Sequence, residues 1–106
     1  MTEQKKTRRQ KLEEFLARDP NDAFSRYGIA LECVREGDLA AAESHFRTLL
    51  QGNPDYVPGY QMYAQTLVQN ARAEDAKAIL AQGIQAAIRQ GNQHARSEME
   101  GLLESL

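Results

Sequence analysis

The chain has 106 residues, with 13 Lys and Arg against 15 Asp and Glu, a formal charge of −2 and a pI near 5.7. That length suits one domain with a modest core, and the near-neutral balance excludes a global attraction to nucleic acid or anionic membrane. A single cysteine, Cys33, excludes an internal disulfide and a cysteine-rich metal site, and no apolar run reaches the ~18–20 residues needed to cross a bilayer.

The leading residues Met1-Thr2-Glu3-Gln4-Lys5-Lys6 lack the apolar segment of a secretory signal, so a cytoplasmic protein is the expectation. Lys5, Lys6, Arg8, Arg9 and Lys11 stand against Glu3 alone. Without interleaved aromatics this basic run reads as a solvated, frayed terminus rather than a nucleic-acid site. Thr7-Arg8-Arg9-Gln10 has the form of a capping box. It opens a helix over 7–18 that carries Leu12, Phe15 and Leu16 on one face. Asp19-Pro20-Asn21-Asp22 ends that helix, and Asn21 or Asp22 caps the next.

The second helix, near 22–36, is apolar almost all round through Phe24, Tyr27, Ile29, Ala30, Leu31, Cys33 and Val34, which predicts cover on more than one side. Gly37 supplies a left-handed stop and Asp38 a new N-cap. The third helix then runs to about Leu50, packing through Leu39, Ala42, Phe46, Leu49 and Leu50. Gly52-Asn53-Pro54-Asp55 turns the chain into a fourth helix, about 56–70, with Tyr60, Tyr63, Ala64, Leu67 and Val68. Asn70 is the expected left-handed stop. The fifth helix starts near Ala73, carries Ala76, Ile79, Leu80, Gly83 and Ile84, and continues to about Gln90, where Gly91-Asn92 breaks it. A last helix over 93–105 aligns Ala95, Met99, Leu102, Leu103 and Leu106 on one stripe and reads as a terminal cap.

Internal repetition organises these elements. Pro20 and Pro54 are one period apart, and the same period carries Ala42 to Ala76, Phe46 to Leu80 and Leu50 to Ile84. A period of this length with helical spacing inside it marks a helical-hairpin array. The residues resemble the tetratricopeptide repeat family, whose pattern is an aromatic, Leu-Gly and Tyr in the first helix, then Ala-x3-Phe and Pro in the second. Repeat one, 23–56, offers Arg26, Ile29-Ala30, Cys33, Ala42-x3-Phe46 and Pro54. Repeat two, 57–90, offers Tyr60, Tyr63-Ala64, Leu67 and Ala76-x3-Leu80. Arg26 departs from the aromatic, Leu49 from a small residue, Ala71 from a glycine and Ile88 from the closing proline.

The resemblance implies an all-α fold of antiparallel helical hairpins, stacked as a short right-handed solenoid between N- and C-terminal capping helices, with 1–106 as one domain and 93–106 as its last element. It also implies a non-enzymatic module that binds another protein or a peptide on the concave first-helix surface. That surface would comprise Phe24, Tyr27, Leu31, Val34 and Arg35, then Gln61, Gln65, Val68 and Gln69, apolar at one end and amide-rich at the other. The competing reading has the N-terminal helix cover Phe24, Tyr27 and Leu31 as core. Positions that clamp a chaperone's terminal carboxylate in some members resemble Tyr27, Leu31 and Met62 here, so that ligand is not expected.

Nothing in the sequence points to a cofactor or to catalysis. His45 and His94 lie far apart in the chain with no ligand set around them. Cys33 falls on a packing position. Acidic pairs such as Glu13-Glu14 and Glu74-Asp75 fit helix starts and outer faces. Glu98, Glu100 and Glu104 mark the wet face of the last helix. A second functional reading is a self-assembling scaffold, a homodimer in contact through Tyr56, Tyr60, Tyr63 and Leu106.

Overall fold

The computed structural model describes residues 5–106, and within them the chain is helical throughout, with no strand. The leader reading for Met1-Thr2-Glu3-Gln4, and the charge of Glu3, lie outside these residues. Six helices follow in order: α1 (Arg8–Arg18), α2 (Ala23–Arg35), α3 (Leu39–Gly52), α4 (Val57–Gln69), α5 (Ala73–Arg89) and α6 (Gln93–Glu104). The chain divides into two compact units, one up to Thr48 and one from Leu49 onward.

In the first unit, Thr7 and Gln10 form the full reciprocal capping box of α1. Each side chain accepts from the other residue's backbone N–H, which satisfies two donors that a helix start leaves open. Asp22 caps α2 by accepting from the Ser25 N–H at 3.0 Å and from the Ser25 hydroxyl. At Gly37, φ is +78°, a conformation glycine reaches without a Cβ penalty. The Asp38 N–H then donates back to the Cys33 carbonyl at 2.9 Å, and the Asp38 carboxylate accepts from the Ala41 N–H at 3.2 Å. Ile29, Ala30, Cys33, Ala42 and Phe46 are completely buried.

The first helix docks on α2 by a narrower face than the sequence suggests. Leu16 is buried, and Leu12 reaches to 3.2 Å from where a Cβ on Gly28 would lie. Phe15 and Phe24, however, are 47% and 72% exposed, so the reading of Phe24 as core under the first helix is corrected. Polar contacts extend the dock instead. Arg9 reaches Glu36 at 2.7 Å and Glu13 at 2.9 Å, and Arg8 lies 3.5 Å from Glu32. Hydrogen bonds to Glu36 and Glu13 hold the Arg9 guanidinium still more firmly protonated than usual. Lys6 pairs with Glu14. Arg8 and Arg9 thus meet carboxylates of α2 that are remote in sequence once α1 lies on it, whereas Lys6 pairs within its own segment and stays largely exposed.

Arg26, at the position where the family pattern has an aromatic, is held by polar bonds. It donates to the Pro20 carbonyl at 3.1 Å and lies 3.3 Å from His45 Nδ1. A guanidinium can only donate, so that ring nitrogen is the acceptor.

In the second unit, α4 and α5 form a hairpin, and α6 packs on both. Val57, Tyr60, Ala64, Leu80, Ala86, Ala87, Ala95 and Met99 make its core, flanked by Leu50, Ile79, Ile84, Leu102, Leu103 and Leu106. The left-handed stop of α4 falls one residue later than expected. Asn70 has φ −103°, while Ala71 takes φ +59°. The Arg72 N–H then reaches the Leu67 carbonyl at 2.9 Å, matching the bond from Asp38 to Cys33 in the first hairpin. Turn geometry therefore follows the repeat phase rather than the local preference of Asn for this conformation. Tyr60 and Tyr63 are buried, and the Tyr60 hydroxyl donates to the Pro54 carbonyl at 2.8 Å. That removes two of the four residues from the homodimer contact read from the sequence.

Among the described residues, no helix is long and apolar enough to cross a membrane.

Candidate functional site

Gln61, Gln65 and Gln69 recur every four residues along α4, so their side chains stack on one face. The opposite face is committed to the interior through Tyr60, Tyr63, Ala64 and Leu67. Beside the glutamine face opens a cavity of about 330 Å³, lined by Gln61, Gln65, Val68 and Gln69 from α4, Leu80 from α5, and Glu98, Met99 and Leu102 from α6. Leu80 and Met99 are almost wholly buried and form its apolar floor. The packing of Met99 against α5 depends on a missing side chain. A Cβ on Gly83 would fall 2.6 Å from Tyr60 Cβ and 2.7 Å from Met99 Sδ, so glycine lets the three helices close together beneath the cavity.

The walls and the floor offer different chemistry. An amide both donates and accepts, as the backbone of an extended peptide requires. Above that buried floor, the half-buried Val68 and Leu102 offer apolar surface that can desolvate one aliphatic side chain. Glu98, 51% exposed on the rim, is the cavity's one ionisable group, and it pairs with His94 Nε2. Elsewhere from Leu49 onward, Arg72 pairs with Asp75, Lys77 with Glu74, Arg89 with Asp55 and Arg96 with Glu100.

Four of the nine residues expected to bind a partner therefore share this cavity. The other five lie on α2 in the first unit. Phe24 and Arg35 are exposed there, Tyr27, Leu31 and Val34 are half-buried, and Arg35 stands 3.8 Å from Glu32. Glu98 is exposed, as the wet-face reading has it, but the sequence reading did not place α6 beside this face of α4, where it supplies Glu98, Met99 and Leu102 to the lining. The available signal was the spacing of Met99 and Leu102, which brings one helix face to both the core and the groove.

Groups with shifted titration lie away from the cavity lining. Burial raises the Cys33 thiol, keeping it protonated and a poor nucleophile. Burial also raises the Tyr60 phenol. His45 is lowered by burial and then by the adjacent Arg26 charge. Among the described residues, no group of three or more His, Cys, Asp or Glu side chains could hold a metal ion.

The tetratricopeptide repeat family profile matches residues 34–96, more than half of the chain. The chain belongs to the tetratricopeptide repeat family. It is 25% identical over 95 residues to a TPR repeat-containing protein of Pseudomonas aeruginosa, covering 90% of each sequence. A tetratricopeptide repeat domain protein from Salinibacter ruber, solved in solution, is 31% identical with a TM-score of 0.76, over 81% of this chain and 87% of that one. A protein of Bordetella parapertussis has the same fold at 22% identity, with a TM-score of 0.80 over 95% of this chain and 88% of that one. The TPR fold is generally a protein–protein interaction module, and its members are generally non-enzymatic scaffolds.

Proposed function

We propose that this TPR protein binds an extended segment of another protein along α4 and α6, with Gln61, Gln65, Val68 and Gln69 as the contact line and no catalytic step. The observation that carries this is the cavity itself, where three regularly spaced amides stand over the apolar floor of Leu80 and Met99. Among the described residues, those three amides bond to no other group of the chain, so their hydrogen-bonding capacity is open to a ligand. Fixed amides beside a desolvated apolar pocket are the ingredients of backbone capture with one anchoring side chain. In the same reading, 23–56 and 57–90 are the two repeats, flanked by the helices at 7–18 and 93–106.

The test is selection from a random-peptide display library on the immobilised full chain, followed by titration of the recovered peptides into isotope-labelled protein. Amide shifts should concentrate at Gln61, Gln65, Val68 and Leu102, and Gln65→Arg, an exposed change, should weaken binding about tenfold. Recovery of no peptide above the blank, or shifts clustered elsewhere, would refute the proposal.

A further inference from the structure

The charge pattern around the cavity narrows the chemistry of its partner. Every Lys and Arg from Leu49 onward is matched with a carboxylate: Arg72 with Asp75 at 2.8 Å, Lys77 with Glu74 at 3.0 Å, and Arg89 with Asp55 and Arg96 with Glu100, each at 2.7 Å. None of those eight residues lines the cavity. Glu98 does, and its partner is the imidazole of His94 rather than a fixed cation. The groove thus shows an incoming segment three amides, an apolar floor and one carboxylate, with no positive group on its lining.

From this we infer that the segment carries a Lys or Arg within two residues of an aliphatic side chain, the aliphatic group seated on the half-buried Val68 and Leu102 and the cation on Glu98 in place of His94. The inference rests on the groove reading above and deepens it. An acidic segment meets repulsion here, because a carboxylate brought beside Glu98 finds no compensating cation on the lining. An uncharged aliphatic segment can use the floor and the amides but leaves Glu98 with its imidazole. A half-exposed carboxylate forms a modest ion pair, so the expected discrimination is about fivefold rather than hundreds-fold.

The experiment selects the same peptide-display library on the wild-type chain and on Glu98→Gln, an isosteric change at a half-exposed position, with circular dichroism verifying equal helicity. Wild type should enrich peptides with Lys or Arg next to Leu, Ile or Met, whereas Glu98→Gln should keep the aliphatic enrichment and lose the basic one. For one recovered peptide, replacing its basic residue with Gln should weaken binding to wild type about fivefold and change binding to Glu98→Gln by less than about twofold. Aliphatic enrichment with no basic preference would overturn this inference while leaving the groove reading standing. A basic preference that persists in Glu98→Gln would overturn it as well, since the cation would then be held elsewhere. No enrichment at all, or binding that maps outside α4 and α6, would overturn both.

Discussion

Gly83→Ala sets two well-measured effects against each other at one atom. Alanine is favoured over glycine inside a helix by about 1 kcal/mol, so at an open position the change stabilises. Position 83 is not open. The new methyl would lie 2.6 Å from Tyr60 Cβ and 2.7 Å from Met99 Sδ, against an ordinary carbon contact of about 3.5–4.0 Å. The Met99 thioether can swing aside, but Tyr60 Cβ is fixed to the backbone of α4, and the Tyr60 hydroxyl is tied to the Pro54 carbonyl at 2.8 Å. Relief therefore requires α5 to shift from α4 by about 1 Å, an overpacking cost of about 1–3 kcal/mol. Set against the helix gain, the net expectation is a loss of up to about 2 kcal/mol. Gly101→Ala is the matched control, because nothing lies within 4 Å of its added Cβ. It should gain up to about 1 kcal/mol. Urea midpoints followed by helical circular dichroism should thus move in opposite directions for the two variants. If Gly83→Ala gained stability as Gly101→Ala does, the close approach of α4, α5 and α6 would be wrong.

Two further outcomes follow from the turns and from the half-buried histidine. Ala71 holds φ +59° with a Cβ in place, so Ala71→Gly should raise the thermal midpoint. The relief of about 1–2 kcal/mol is partly offset by about 0.5–1 kcal/mol of added freedom in the unfolded chain; a lowered midpoint would contradict the left-handed turn. His45 sits below the ordinary 6.5 because burial, and then the Arg26 charge, disfavour its cation. Above 6.5 neither the folded nor the unfolded chain protonates it, and its titration leaves stability unchanged. As pH falls below 6.5 the unfolded chain takes a proton that the folded chain refuses, so stability drops until the folded value is passed. His45→Gln should make that drop shallower in urea midpoints compared between about pH 7.5 and about pH 5.5. An imidazole resonance titrating at or above 6.5 would sink this account.

Much of the helical plan was legible because its signals are local. Thr7 with Gln10, Asp22, Gly37 with Asp38, and Gly91 each act within four residues of themselves. The turn at Ala71 shows where local preference yields. Asn favours the left-handed region more than Ala does, yet the hairpin closes in register with its repeat partner, and the residue one period after Gly37 takes the strained conformation. The reading of Phe15, and the competing core reading of Phe24, failed for a different reason. Hydrophobicity states that a side chain gains by burial but not that a neighbour is there to bury it. The bond from Arg9 to Glu36 joins residues 27 apart and depends on how α1 lies on α2, which no local pattern encodes. For the groove, the α4 glutamines were readable from their spacing. The places of Glu98 and Met99 in the cavity lining required knowing that α6 returns beside α4.

The ion pair between Arg89 and Asp55 joins residues 34 apart, and Arg89 also donates to the Pro54 carbonyl that Tyr60 holds. As an exposed contact it adds little energy; what matters is that it ties the last residue of α5 to the turn that leads into α4. Fraying at this end of α5 must release both the ion pair and the bond to the Pro54 carbonyl. The α4–α5 hairpin should therefore open as one cooperative block, its backbone amides exchanging at a common rate rather than in a gradient from the tip. A binding face carried on such a block is lost or kept whole, so the glutamine row would switch between competent and absent without passing through a half-formed surface.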